Sequence, residues 1–452
     1  MFDAPQMLLI VGVLLSLVFL GAHIAIALGV TSVLGLYLMQ GDMTSVAAFV
    51  SNTAFKAIRD YVFAVIPLFM LMGEFLAKCG AARDLFTLVN RSTKWLPGRL
   101  GIATVLANAV FAFVTGVSIA AAAAFSRIAW PEMKRHGYER KFALGCIAGS
   151  ACLGMLIPPS VLMIVWGVLT EQSIGKLFIA GVIPGFLVVT IYSAYIIYVA
   201  ITQPERVGGG PKVAAMREPR SLGAAAVSLD EQEPDLQGVL FSTVLVVILV
   251  FGVLGGIWFG FFTPTEGAGV GAAAALVLAV AKGLRAKEVF EVILTVGRTS
   301  APLLLLLVMA QLYSRVLSMT GITGAAQALF LDSGLSPYTI LFIMVMIWFV
   351  LGCISDSISI ILLTVSVFAP IAMALGFDPL AFAILGIIAI ETGLLTPPFG
   401  ILVFTVRAAL PNERVSLGEI FAGAVPYWIC LLMAIVAIAV FPELATWLPN
   451  LK

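Results

Sequence analysis

Apolar runs long enough to cross a lipid bilayer recur along almost the whole chain. They lie near 7–38, 61–79, 102–125, 142–169, 177–201, 238–260, 265–281, 289–318, 338–351, 354–375, 379–409 and 421–442. One spanning helix needs about 20 mostly apolar residues. Soluble globular proteins have roughly a quarter of their residues charged, whereas this chain has 11%. Its mean hydropathy is +1.11. The runs cannot be strands, because an open sheet leaves backbone groups unpaired in lipid and barrel strands would alternate apolar with polar residues. The fold class is therefore an all-α polytopic membrane protein.

Several classes are excluded at once. The net charge is +1 and the basic residues are scattered between apolar runs, so no field draws nucleic acid. The five cysteines, Cys79, Cys146, Cys152, Cys353 and Cys430, form no CxxC and no Cys/His cluster, and they read as small apolar residues in lipid. GVGAAAA at 269–275 follows no βαβ pattern and GxxxxGK[ST] is absent, so nucleotide sites and enzyme signatures are unsupported. Uphill transport by such a chain must draw on an ion gradient or another subunit. The N-terminal MFDAPQM has no basic region or cleavage site before the first apolar run. It reads as the start of a retained helix rather than a removed signal peptide.

The pattern repeats. LGMLIPPS (153–160) recurs as GLLTPPFG (393–400), and GKLFIAGVIP (175–184) recurs as GEIFAGAVP (418–426). Each proline pair follows an interrupted apolar stretch, FAFVTGVSIAAAAAF (111–125) and FVLGCISDSISIILL (349–363). Three matches in one order indicate internal duplication. The expected organisation is a first repeat over 1–202, a linker over 203–237 and a second repeat over 238–452. The linker's Arg206, Lys212, Arg217 and Arg220 point to the cytoplasm, as do Lys94, Arg99, Lys134, Arg135, Arg140 and Lys141 in other loops. A duplicated helical bundle with breaks at matching positions is the pattern of a secondary transporter with a midplane site.

The candidate site follows from backbone chemistry. Pro158 and Pro159 have no N–H, so the carbonyls of Gly154 and Met155 lose their helical partners. Pro397 and Pro398 do the same to Gly393 and Leu394. Bare carbonyls at membrane depth are hard oxygen ligands suited to sodium, although a simple kink would leave the same trace. Thr115, Gly116, Val117 and Ser118, and likewise Gly352, Ser355, Asp356 and Ser357, fall inside apolar sequence where a re-entrant hairpin would have its tip. Ser and Thr bonded back to their own helix are the plainer reading of those hydroxyls. Asp356 lies in the second tip and Glu391 six residues before Pro397, with Thr396 beside the pair. A carboxylate at bilayer depth costs at least about 2.5 kcal/mol and so has a partner or a task. For Asp356 the choice lies between holding a cation and bracing a helix. Glu74, Glu266, Arg315 and Arg407 read as interface residues.

These residues resemble the large membrane subunit of tripartite ATP-independent periplasmic (TRAP) transporters, over nearly the whole chain. The most specific parts are 126–185, GCISDSISIILLTV (352–365), IETGLLTPPFGILVF (390–404) and FFTPTEGAGVGA (261–272). The resemblance implies two inverted repeats with two re-entrant hairpins and an elevator-type transport body in a bacterial inner membrane. It also implies sodium-coupled uptake of organic acids, with sodium held between tips and Pro-Pro segments and no other cofactor. The partners it implies are a small four-helix membrane subunit and a periplasmic substrate-binding protein. Val117 and Ala121 depart from the family pattern by replacing hydroxyl positions at the first tip. The alternatives are a single-component ion-coupled carboxylate carrier, an intramembrane enzyme, a channel or a structural scaffold. The enzyme would need paired catalytic groups that are missing, and a channel would show polar rings rather than two Pro-Pro breaks.

Overall fold

A computed structural model describes residues 2–209 and 236–451. Of the expected linker, 203–209 is described and 210–235 lies outside the described residues. The helices of the first half are α1 (Ala4–Phe19), α2 (Ile24–Gln40), α3 (Met43–Arg59), α4 (Val65–Lys78), α5 (Ala81–Ser92), α6 (Arg99–Thr115), α7 (Ser118–Arg135), α8 (Arg140–Ala151), α9 (Leu153–Leu156), α10 (Val161–Thr170) and α11 (Ile174–Thr202). Those of the second are α12 (Leu236–Trp258), α13 (Pro264–Ala281), α14 (Ala286–Thr320), α15 (Ile322–Leu331), α16 (Pro337–Gly352), α17 (Ser357–Ala374), α18 (Pro379–Gly393), α19 (Ile401–Ala409), α20 (Leu417–Val440) and α21 (Glu443–Thr446). Eight helical segments among the described residues are long and apolar enough to cross a membrane.

Local chemistry sets the boundaries. The long first run divides at Gly21, which is left-handed, and His23 then caps α2 through its ring nitrogen. The α6–α7 hairpin turns at Gly116, also left-handed; a Cβ there would lie 2.4 Å from the carbonyl oxygen of Pro159, so only glycine fits. Asp356 caps α17 by accepting from the backbone of Ser359 at 3.0 Å, an N-cap interaction that satisfies a donor no helical carbonyl reaches. Glu266, an interface candidate, closes a capping box with Thr263 at the start of α13.

Two bodies emerge from the packing. α2, α3, α4, α12, α13 and α14 form an outer group. The α6–α7 and α16–α17 hairpins, α8–α11 and α18–α20 form the other, with α4 and α5 packing against α6. Its interior holds Trp166 and Trp348, fully buried with ring centroids 5.8 Å apart, and Phe382 against both. Each such aromatic pair adds about 0.5–1.5 kcal/mol beyond area burial. Trp348 also donates to Thr364 at 2.8 Å, tying the two arms of the second hairpin together.

The hairpins point at each other from opposite ends of the molecule, and α20 shows this because it touches both bases. Near its start, Glu413 accepts from Lys134 at 2.7 Å and Glu419 lies 3.6 Å from Arg140, at the base of the first hairpin. At its far end, Ile438 and Pro442 share a cavity of about 290 Å³ with Pro337, Tyr338 and Phe377, at the base of the second. Basic residues crowd the first end, which is cytoplasmic by the positive-inside rule. The described start of the linker is clipped to that same end. Arg206 pairs with Glu139, and Val207 bridges to Tyr138.

Candidate substrate and ion site

Between the hairpin tips lies a cavity of about 170 Å³. Its floor is built by the carboxyl group of Glu391, one of the acids the sequence places at bilayer depth. Glu391, in the last turn of α18, is 1% exposed. Ser118 at the first residue of α7 donates to its Oε2 at 2.6 Å, and Ser357 at the first residue of α17 donates to its Oε1 at 2.8 Å. One carboxyl group therefore holds both tips. The separation of 239 residues between Cys152 and Glu391 also relates Ser118 to Ser357, Gly154 to Gly393 and Pro158 to Pro397. Cys152, standing where the first half would have its own Glu391, points its thiol at the carbonyl of Glu391 at 3.5 Å.

The two broken helices grip their own hairpins. Val161 N–H donates to Gly116 at 3.2 Å, and Phe399 N–H donates to Cys353 at 3.2 Å. Both Pro-Pro peptide bonds are cis. The second crossing is tighter than side chains allow, since a Cβ on Gly393 would sit 2.5 Å from the carbonyl oxygen of Phe349 and one on Gly352 2.6 Å from that of Ile390. Such close backbone approach between apolar helices calls for the smallest residue. Pro158 and Pro159 are buried, whereas Pro397 and Pro398 are exposed.

Three of the four freed carbonyls differ from the expectation that they are bare. The Met155 carbonyl accepts from Ser160 Oγ at 2.5 Å, and that of Gly393 accepts from Thr396 Oγ1 at 2.7 Å. The Leu394 carbonyl accepts from the backbone of Leu402 at 3.3 Å. Local hydroxyls and a turn of backbone took up what the prolines released; the Gly393 oxygen also accepts from the Thr396 N–H at 2.9 Å, whereas those of Met155 and Leu394 keep a second lone pair. Gly154 packs flush against Ser118, where a Cβ would be 2.9 Å from its nitrogen.

The cavity brings some of the expected residues together and leaves others out. Ser118, Met155, Asp356, Ser357, Glu391 and Leu394 line it. Thr115 bonds back to Phe111 at 3.2 Å and Thr396 meets the thiol of Cys353 at 2.9 Å, so both serve local backbone and tip geometry. Gly116, Gly352 and Ser355 shape the turns. Asp356 does two jobs at once: it caps α17 and faces the cavity. Sequence reading missed the opposite wall, Met70 of α4 with Thr299 and Leu303 of α14. Apolar residues of the outer body carry no local signal of a site, and only the packing of the two bodies reveals them. The lining contains two carboxyl groups and no Lys, Arg or His among the described residues.

As for chemistry, no group of three His, Cys, Asp or Glu comes together among the described residues. The lining is mostly apolar, and its polar groups, the hydroxyls of Ser118 and Ser357 and the carboxyl groups of Asp356 and Glu391, are oxygens of the kind that suit a hard cation rather than a soft transition metal.

Comparison with known proteins fits this arrangement. The family described as tripartite ATP-independent periplasmic transporter, DctM component, matches residues 11–444. The C4-dicarboxylate TRAP transporter large permease protein DctM of Pseudomonas aeruginosa is 34% identical, over 94% of each chain. The ectoine TRAP transporter large permease protein TeaC of Halomonas elongata is 27% identical over 98% of this chain and 99% of its own. The crystal structure of the Alcanivorax borkumensis YdaH transporter shares the fold, with a TM-score of 0.62 at 15% identity over 98% of both chains. The chain therefore belongs to the DctM component family of tripartite ATP-independent periplasmic transporters, as a multi-pass permease of the bacterial inner membrane and not an enzyme.

Proposed function

We propose that this permease imports organic acids, carboxylates in particular, by a sodium-coupled elevator movement of the hairpin body against the outer body. It would work with a small membrane subunit and a periplasmic binding protein. One observation carries the coupling argument: the tip cavity is lined by Asp356 and Glu391 with no basic side chain among the described residues. Neither carboxyl group has a basic partner in that lining, and unscreened charges interact more strongly in a partly buried site than in water. An organic anion added to such a cavity needs cations beside it. Sodium supplies them and makes substrate binding depend on the gradient. The carboxyl groups of Asp356 and Glu391, the hydroxyls of Ser118 and Ser357 and the carbonyls of Gly154, Met155 and Leu394 are the groups proposed to hold it.

The 1–202 and 238–452 halves are proposed as inverted repeats, supported by the common 239-residue separation of tip and break residues. An elevator is supported by the site's construction, with one wall on each body, so that sliding the bodies exposes it to alternate sides. The named relatives carry a C4-dicarboxylate and ectoine, and the carboxylate both contain is the class proposed here.

The test is uptake of succinate into proteoliposomes holding this chain with the candidate membrane and binding subunits. Uptake should follow an inward sodium gradient and fail when either partner is omitted. Equal uptake on a proton gradient without sodium would instead assign the coupling to protons, carried by Asp356 and Glu391. Full uptake by the single chain would favour a one-component carrier.

A further inference from the structure

A second, larger cleft of about 620 Å³ opens between the two bodies at the end away from the linker. Its position follows from α11, which runs from Ile174 at this cleft to Thr202 beside the linker. The cleft leads to the tip cavity along three helices. On α10, Val161 lines the tip cavity and Gly167 the cleft; on α4 the corresponding residues are Met70 and Val65, and on α14 Leu303 and Gln311. At 1.5 Å per residue, the cleft floor stands about 10 Å above the tips.

The chemistry of the two spaces is opposite in one respect. Among the described residues the tip cavity has no base, whereas the cleft carries Lys56 and Arg315. Arg315 donates to Thr53 at 3.4 Å, and among the described residues neither base has a carboxylate within ion-pair distance. Of the two acids in the cleft, Asp60 is occupied capping the N–H of Val62 at 3.0 Å, and Glu171 lies on the α10–α11 turn. Glu171 is the one non-glycine residue with a left-handed backbone among the described residues, at φ 56°, a strain that clusters at functional sites. Next to it Gln172, which also lines the cleft, has a buried side-chain oxygen without a partner. The N-terminus of α11 opens here as well, through Ser173, and such ends favour anions, whereas that of α13 at Thr263 is already met by the carboxylate of Glu266.

We propose that this cleft is an antechamber that holds a carboxylate on Arg315 and Lys56 before it descends to the baseless tip cavity. It rests on the carboxylate import proposed above. A fixed pair of bases on the outer body would concentrate the anion on the periplasmic side, and sodium would then replace them as its counter-charge at the tips.

The test needs no transport. In the full chain with Cys79→Ser, Gln172→Cys is reacted with sulfonatoethyl methanethiosulfonate and with its trimethylammonium counterpart, each rate normalised to a free thiol in solution. The anionic reagent should react faster, and Arg315→Gln should lower the anionic-to-cationic rate ratio by about fivefold or more, the effect of one unit charge a few ångströms away. Succinate should slow the anionic reagent more than chloride at equal ionic strength, and not in Arg315→Gln. Ser314→Cys is the second reporter if Gln172→Cys fails to fold. A ratio unchanged by Arg315→Gln, or succinate protecting no better than chloride, overturns the antechamber. Reagent selectivity with sodium-independent uptake would overturn only the coupling mechanism, and sodium-driven uptake with unselective labelling only the antechamber.

Discussion

If Glu391 holds both tips through Ser118 and Ser357, the two serines are energetically coupled although they lie on different hairpins. A hydrogen bond to a charged group contributes about 1.5–3 kcal/mol, and a neutral one about 1 kcal/mol. Ser118→Ala and Ser357→Ala should each cost about 2 kcal/mol, because each leaves the buried carboxylate with one donor at 2.6 or 2.8 Å instead of two. Removing both should cost more than the sum, by about 1 kcal/mol or more, because the carboxylate then loses its last hydroxyl. Glu391→Gln keeps the shape and a hydrogen-bonding oxygen, so in that background each serine deletion should fall to about 1 kcal/mol. The assay is unfolding by SDS titration in mixed micelles, followed through the seven tryptophans. Additive serine losses that are the same with Glu391 and with Gln would refute the shared-carboxylate reasoning.

Asp356→Asn should keep the α17 cap, since Asn and Asp cap about equally, yet lose sodium affinity; Asp356→Ala should also lose about 1 kcal/mol of stability in the same titration. Gly393→Ala drives a Cβ to 2.5 Å from the Phe349 carbonyl and should cost about 1–3 kcal/mol, whereas Gly418→Ala, with open space around it, should be neutral in melting temperature. The hydrogen bond from Lys134 holds Glu413 below the usual carboxylate range. Its folded value is depressed, so its contribution is present above the ordinary carboxylate pKa and is lost as pH falls through the lower folded value. Melting measured from pH 6 down to pH 3 should therefore fall more steeply for the wild type than for Glu413→Gln, and parallel curves would show that the clamp does not matter.

The membrane class and the two Pro-Pro breaks were legible because each rests on a local rule: hydropathy or a missing N–H. Asp356 was legible as a lone acid in apolar sequence; of the roles posed for it, the structure shows the helix-bracing cap, and it also places the residue in the cavity lining. The Met155 and Gly393 carbonyls, expected bare, are not, because Ser160 and Thr396 stand close enough in sequence to bond the oxygens the prolines release. The role of Glu391 was out of reach, since its partners lie on two other helices, one of them 273 residues away. A strict comparison of the halves would have matched Cys152 with Glu391 and shown that the acid occurs once. Neither the Met70, Thr299 and Leu303 wall nor the cleft around Arg315 has a sequence signature, because each depends on how two bodies meet.

The central claim, that the tips hold sodium with the two carboxyl groups, is tested most directly by the melting temperature of the purified chain in sodium against potassium chloride at equal ionic strength. A ligand that binds only the folded state stabilises it by about RT ln(1 + [L]/Kd), about 2.7 kcal/mol at a hundredfold excess over Kd. The wild type should melt higher in sodium, with the increment reduced in Asp356→Asn and absent in the Asp356→Asn/Glu391→Gln double variant. Identical melting in the two salts, or a sodium increment that survives in the double variant, would contradict it.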